Sequence, residues 1–401
     1  MSDDFYRIRR LPPYVIAEVN AMRAEARATG EDIIDLGMGN PDLPPPQHVI
    51  DKLCEVARKP DAHGYSASKG IPGLRKAQAG YYKRRFGVDL DPDTEVVVTL
   101  GSKEGLANLA QAITAPGDVV LAPNPSYPIH TFGFIIAGAT IRSVPTTPDE
   151  KYWEALERAM AFTVPRPSVL VMGYPSNPTA EVVDLAFYER VVAFAKEHKL
   201  WVLSDLAYSE LYYDGCPTPS ILQVPGAKDV AVEFTSLSKT YSMAGWRIGF
   251  AVGNPILISA LTRVKSYLDY GAFTPIQAAA VAAINGPQDI VEQNRQLYQR
   301  RRDVLIESFG RAGWDIPPPR ASMFAWAPLP PALAHLGSLE FSKQLLTHAK
   351  VAVAPGVGYG ENGEGFVRIA MVENEQRLRQ AARNVKRYLQ SMGVNTPART
   401  G

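Results

Sequence analysis

The sequence has almost no cysteine. Cys54 and Cys216 are the only thiols in 401 residues, too few for a disulfide framework or a cysteine metal centre, and both read as small buried hydrophobes. Histidine is scarce as well. The six present (His48, His63, His130, His198, His335, His348) show no HExxH or comparable ligand spacing, so no metal site is expected and each reads as a surface or core residue. An excess of charge is also missing: 42 basic against 41 acidic side chains leave a formal +1, which supplies no global field to draw nucleic acid or an anionic membrane. Any anion site must therefore be local. No stretch reaches the roughly 18 apolar residues needed to cross a bilayer, and the start, MSDDFYRIRR, lacks the apolar core of a secretion signal. The expected location is the cytoplasm, with no membrane partner.

What remains is the composition of an ordinary globular protein, 46% hydrophobic and 21% charged, on a chain longer than one hydrophobic core usually supports. A large and a small domain are expected. A helix is predicted from Tyr14 to about Ala28, then a short apolar segment, Ile33 to Leu36, running into the turn-rich GMGNPDLPPP. Short apolar runs then alternate with helical stretches: EVVVTL (95–100), DVVLA (118–122), SVLVMG (168–173), LWVLSD (200–205), VAVEFTS (230–236) and RIGFAVG (247–253). That alternation predicts an α/β domain with a largely parallel sheet. Beyond about residue 255 the pattern is helical. The strand-like MFAWA, VAVAP and FVRIAMV, separated by helices near 339–349 and 375–390, then predict a smaller α+β unit. The tail, NTPARTG, reads as disordered.

The densest chemical signal is SLSKTYSMAGWRIG (236–249). By itself Lys239 would be a solvated loop lysine, since lysine is usually exposed. Its surroundings argue otherwise: Ser236 and Ser238 supply hydroxyls, Arg247 a second cation, and the segment follows a strand, where α/β folds place ligands. A phosphate would be well held there. The neighbouring cations and partial burial would lower the lysine pKa toward a usable nucleophile.

This segment resembles the lysine signature of the class I and II, fold type I aminotransferases, which use pyridoxal 5′-phosphate, and the resemblance runs in order along nearly the whole chain. It implies that Lys239 carries the cofactor. Gly101, Ser102 and Lys103 match the turn that aims backbone N–H groups and a helix N-terminus at the phosphate. Asp205 matches the carboxylate that keeps the pyridine nitrogen protonated, and Tyr208 the phenol on the ring oxygen. A helix cap is the alternative for Asp205. Asn177, in YPSNPT, matches the contact to ring oxygen and substrate carboxylate, the alternative being a turn residue beside proline. Tyr127, in NPSYP, matches the ring stacked on the pyridine, the alternative being core packing. Arg368, in FVRIA, matches the two-pronged grip on the substrate α-carboxylate. Gly39 matches the close backbone position over the substrate, and Tyr65, in HGYS, the tyrosine that reaches the phosphate across a dimer interface.

The longer matches, DIIDLGMGNPD, NPSYPIH, DLAY and KSYLDYGAFTP, resemble the bacterial glutamate–pyruvate (alanine) aminotransferases, with LL-diaminopimelate aminotransferases as near neighbours. The resemblance implies ping-pong transamination of L-alanine and 2-oxoglutarate to pyruvate and L-glutamate in a homodimer with shared active sites. LL-diaminopimelate, aspartate or aromatic amino acids are alternative substrates, and a carbon–sulfur β-lyase or a non-enzymatic regulator are alternative classes. Tyr14 is a candidate lid over a small side chain or, equally, part of an arm packed on the partner. The glycine-rich GVGYGENG (356–363) reads as turns before the Arg368 strand. The expected division is 1–45 as arm and part of the small domain, 46–290 as the large cofactor domain, 291–395 as the small domain and 396–401 as tail.

Overall fold

The computed structural model describes residues 5–12 and 15–394, so Tyr14 and the 395–401 tail lie outside the described residues. Twelve strands are described: β1 Ile34–Asp35, β2 Val96–Thr99, β3 Val119–Asn124, β4 Thr140–Pro145, β5 Val169–Met172, β6 Trp201–Asp205, β7 Ala231–Ser236, β8 Gly249–Gly253, β9 Phe324–Pro328, β10 Val351–Ala352, β11 Ala354–Pro355 and β12 Phe366–Ala370. Seven of them form one sheet in the order β2-β8-β7-β6-β5-β3-β4. Within it β8 runs antiparallel to both neighbours and every other pairing is parallel, as the α/β alternation predicts.

Alternation along the strands feeds two cores. Val97, Val120, Val171, Leu203 and Val232 point to one face, where the helices Ser102–Ile113, Ile129–Ala137 and Pro255–Leu268 pack. Val96, Val98, Leu121, Leu170, Val202 and Val252 point to the other, beneath Pro72–Phe86, Glu150–Phe162, Leu185–His198 and Thr274–Asn285. Burial on both faces explains why these strands read as continuous apolar runs. The edge strand β4, TIRSVP, is the exception: of its six residues only Val144 is buried, so no apolar run announced it.

A third core gathers Ile34 and Leu36, the 208–213 segment and residues from Tyr298 to Leu389 around the sheet β11-β12-β9. The N-terminal segment belongs to it because β1 pairs in parallel with β10, and Leu36 O accepts the Ala370 N–H at 2.7 Å. This pairing delivers the Gly37–Gly39 turn to the neighbourhood of Arg368 on β12.

Both cysteines depart from expectation, for each is exposed. Cys54 sits on the helix Gln47–Ala57, which turns Val49 and Val56 inward and leaves position 54 on the outer side. Cys216 follows Asp214 and Gly215, both with positive φ, in a surface turn.

Candidate active site

The C-terminal ends of β2, β3, β5, β6 and β7 open into a cleft of about 350 Å3, where parallel sheets place ligands. Into it run Ser102 after β2, Tyr127 after β3, Gly173 after β5, Asp205 from the end of β6, and Ser236, Ser238 and Lys239 from β7 onward. Phe324 of the third core also lines it, with Gly39, Tyr359 and Arg368.

Lys239 is held on a single helical turn, Leu237–Thr240, capped by Ser236, whose hydroxyl oxygen accepts the Ser238 N–H at 3.1 Å. Its ammonium donates to Gly39 O at 2.7 Å. Burial first, then the Arg368 and Arg247 guanidiniums, pull the Lys239 amine down from 10.5 to about 8. Near neutral pH a usable fraction is therefore the free amine.

The Gly101–Arg247 corner of the cleft, the expected phosphate site, is tightly built. Gly101, the N-cap of Ser102–Ile113, has φ 84° and ψ 155°, and a Cβ there would lie 2.1 Å from Arg247 Nη2. Glycine is thus required where the guanidinium crosses the turn. Arg247 adopts φ 57° and donates to Ala244 O at 2.9 Å and to Leu100 O at 3.3 Å. Gly249 lets β8 press against the same turn, since a Cβ on it would lie 2.7 Å from Ser102 N. Ser102, Ser236, Ser238 and Arg247 line one cleft, with Lys103 placed 5.7 Å from the centre of the Tyr127 ring.

Asp205 is buried and one carboxylate oxygen, Oδ2, lies 3.0 Å from His130 Nε2. The other, Oδ1, has no hydrogen-bond partner. A buried carboxylate oxygen without a donor calls for one, and a protonated ring nitrogen would satisfy it. His130 was not singled out from sequence, because its partner lies 75 residues away; its place one turn after Tyr127, on the helix that follows β3, was the available signal. Tyr208 is buried at the T-shaped contact of its ring with Phe324, and burial pushes its hydroxyl up, with Arg368 opposing.

Arg368 donates through Nη1 to Asn177 Oδ1 at 2.9 Å and through Nη2 to Gly37 O at 2.9 Å. Its guanidinium lies 3.9 Å above the Phe324 ring, which screens it from solvent on that face. A Cβ on Gly39 would fall 2.5 Å from the same ring, so only glycine fits this close approach. Tyr359, from the glycine-rich stretch expected as turns, also lines the cleft, as do Ile16 and Asn20 of the helix Val15–Ala28. Asp35 was likewise missed: its carboxylate accepts the Gly37 and Met38 N–H groups and pairs with Arg23 at 2.6 Å.

Of the residues expected from sequence, Gly39, Ser102, Lys103, Tyr127, Asn177, Asp205, Tyr208, Ser236, Ser238, Lys239, Arg247 and Arg368 meet in this cleft, and Gly101 abuts it through Arg247. Tyr65 does not. Its expected place is a partner's site and not its own, and in this chain it is 89% exposed, with its ring against Tyr270 at 4.6 Å. The set fits pyridoxal phosphate: anion donors at a helix N-terminus, an amine, an aromatic face, and an unpaired carboxylate for the ring nitrogen. Among the described residues no cluster could hold a metal ion and no helix is long and apolar enough to cross a membrane.

Comparison with known proteins places residues 31–385 on the model of the family described as aminotransferase class I and II. A putative aminotransferase, AatC, of Rhizobium meliloti is 65% identical, covering 97% of this chain and 96% of its own. The glutamate-pyruvate aminotransferase AlaC of Escherichia coli is 53% identical over 97% and 95%, and an LL-diaminopimelate aminotransferase of Moorella thermoacetica 44% identical over 96% and 97%. Among solved structures, substrate-bound BacF from Bacillus subtilis superposes with a TM-score of 0.90 at 34% identity, covering 97% of this chain and 98% of the other.

Proposed function

The chain belongs to the class I and II aminotransferases, fold type I enzymes that use pyridoxal phosphate, and on that premise we propose that it interconverts L-alanine and 2-oxoglutarate with pyruvate and L-glutamate. The observation that carries the reading is the cleft itself. Lys239, the unpaired Asp205 oxygen and the Arg368–Asn177 pair converge there, and among the described residues no third arginine joins Arg247 and Arg368. Arg247 serves the phosphate and Arg368 the α-carboxylate, which leaves no described arginine of the chain's own cleft for a side-chain carboxylate and favours a small side chain. Glutamate's distal carboxylate is then left to backbone donors, Tyr14 or Lys103.

Bound pyridoxal phosphate supplies an electron sink for the pair released at the amino acid Cα. Everything else falls to the protein. Gly101, Ser102, Ser236, Ser238 and Arg247 would hold the phosphate, Tyr127 would pack on the ring, and Asp205, steadied by His130, would keep the ring nitrogen protonated. Tyr208 and Asn177 would take the ring oxygen. Arg368 and Asn177 grip the α-carboxylate and so set the direction of the Cα–H bond. Lys239, neutral in useful fraction, accepts that proton and delivers it on the far side of the reaction. Two half-reactions on one site give ping-pong kinetics.

The exposed Tyr65 and Tyr270 rings suit an interface with a second copy, in which Tyr65 serves the partner's phosphate. The same reading takes 46–290 as the cofactor domain, with 1–45 and 291–395 in the smaller one, and puts the enzyme in the cytoplasm. The similarity to an LL-diaminopimelate aminotransferase favours that substrate as the second reading. The test is a screen of L-alanine, L-glutamate, L-aspartate, LL-diaminopimelate and aromatic donors against pyruvate and 2-oxoglutarate. Alanine and glutamate are expected to lead. High turnover of LL-diaminopimelate with little of alanine would overturn the substrate assignment.

A further inference from the structure

Lys265 is fully buried, yet it does not line the cleft. Its ammonium lies 3.0 Å from Glu104 Oε1 and 2.9 Å from Asp269 Oδ2. A well-packed apolar residue of similar volume would often cost the fold no more, so what matters is what this lysine joins.

It joins two segments. Glu104 stands in the first turn of Ser102–Ile113 and accepts the Leu100 N–H at 2.9 Å through Oε2. Leu100 O in turn receives Arg247 Nη2. Glu104 therefore fixes the strand-to-helix turn of the phosphate cradle from behind its backbone. On the other side, Asp269 accepts the Gly271 N–H at 2.7 Å, and its carbonyl accepts the Ser68 hydroxyl. Gly271 has φ 79°, and a Cβ on it would lie 2.3 Å from Ala67 O, so the 269–271 turn and the 67–68 backbone are in close contact. Gln277, also fully buried, ties the same loop again: its amide donates to Ser66 Oγ at 2.8 Å and its carbonyl accepts the Ile71 N–H at 2.9 Å. The loop so anchored is the one that presents Tyr65 against Tyr270.

We propose that Lys265 is a positioning residue that ties the cradle of its own site to the Tyr65 loop, so that one buried ion cluster sets cofactor affinity in two sites, its own and its partner's. The second half rests on the homodimer reading above. A lysine can bridge the two segments because its single ammonium presents three donors, enough for both carboxylates at once. Replacement by methionine keeps the stem and removes the bridge.

The test compares three proteins: the parent, Lys265→Met, and Lys265→Met combined with Glu104→Gln and Asp269→Asn, which leaves no charge unpaired should the single variant fold poorly. Cofactor dissociation constants are measured by equilibrium dialysis of reconstituted enzyme, alongside thermal unfolding and kcat at saturating cofactor. Expected is a loss of cofactor affinity of about 10- to 100-fold, the scale seen when a group that orients the ligands of a metal site is removed, with kcat little changed. A triple variant that unfolds earlier but binds cofactor as the parent does would overturn the proposal, because the cluster would then be structural only. For the second site, a parent chain is paired with one carrying Lys239→Ala and Lys265→Met, and cofactor release is followed at the absorbance of the lysine-bound form, which the parent chain alone gives. Faster release supports coupling across the pair, and parent-like release overturns it. A parent protein that sediments as a monomer would refute the dimer reading and the second-site claim with it, whereas the first comparison reads the chain's own cradle independently.

Discussion

Replacing Gly101 with alanine is the most direct probe of the anion cradle. With φ 84° and ψ 155° the residue occupies a region open essentially to glycine alone, where another residue costs about 1–3 kcal/mol. The new methyl would also lie 2.1 Å from Arg247 Nη2 and 2.8 Å from its Cζ, so the guanidinium must retreat by more than 1 Å to reach the 3.4 Å of ordinary contact. Such a retreat strains the bond from Nη2 to Leu100 O, 3.3 Å in the parent, while Nη1 is held at 2.9 Å by Ala244 O. Losing a charged donor to an anion costs about 1.5–3 kcal/mol, which converts to roughly 10- to 150-fold in cofactor affinity. The assay is titration of the apoenzyme with pyridoxal phosphate, and separately with inorganic phosphate, followed by protein fluorescence. Gly73→Ala is the control, because nothing lies within 4 Å of a Cβ there. Parent-like affinity for both ligands in Gly101→Ala would refute the assignment of Arg247 and this turn to the phosphate.

Two further outcomes test the cationic groups. The folded chain holds Lys239 at about 8 against 10.5 for an unperturbed lysine, so between these values the unfolded chain binds the extra proton and stability rises with pH. Below pH 8 the buried charge costs the full difference, about 3 kcal/mol. Apoenzyme carrying Lys239→Met is therefore expected to resist urea better than the parent by up to that amount at pH 7, the advantage shrinking toward pH 10; an advantage independent of pH would contradict the depressed pKa. Arg368→Lys keeps the charge and loses the fork, so kcat/KM is expected to fall about 100-fold for amino and oxo acids alike, with cofactor affinity unchanged. A selective effect on one side-chain class would show that Arg368 reads the side chain and not the α-carboxylate.

What could be read from sequence was local, and what escaped was held by distant partners. Strands β5, β6 and β7 announced themselves because burial on both faces demands uninterrupted apolar residues, and each ends in the polar residue or turn that enters the cleft. Lys239 stood out because serines, glycines and Arg247 crowd its segment. Strand β4 escaped because an edge position buries only Val144. His130 escaped because a lone histidine in an apolar helix looks like core, and only the fold brings Asp205 to it. Tyr359 lay inside a glycine-rich stretch whose glycines serve packing: a Cβ on Gly356 would lie 2.0 Å from Gly363 O, and one on Gly363 2.1 Å from Gly356 O. Two short turns therefore press together and aim the tyrosine between them, a relation that spacing alone does not reveal.

The Gly37–Gly39 turn shows how one short segment can govern the geometry of both reacting ends. Two of its carbonyls accept from the two side chains proposed to handle substrate, Gly37 O from Arg368 and Gly39 O from Lys239. Both acceptors are neutral, so each fixes the direction of a cation without neutralising it and leaves it able to pair with a carboxylate or to exchange a proton. The turn is in turn held by Asp35, through the Gly37 and Met38 N–H groups, and Asp35 is fixed by Arg23 on the helix Val15–Ala28. Gly39 presses on the Phe324 ring, and that ring carries Arg368 on its face. The spacing between Lys239 and Arg368 is therefore set by a segment that pairs with β10 and shares a core with β12, although Lys239 itself follows β7 of the seven-stranded sheet. On the roles proposed for these two residues that spacing orients the Cα–H bond, so a change confined to Asp35 or Arg23 is expected to act through backbone placement, read as a fall in kcat with cofactor affinity unchanged.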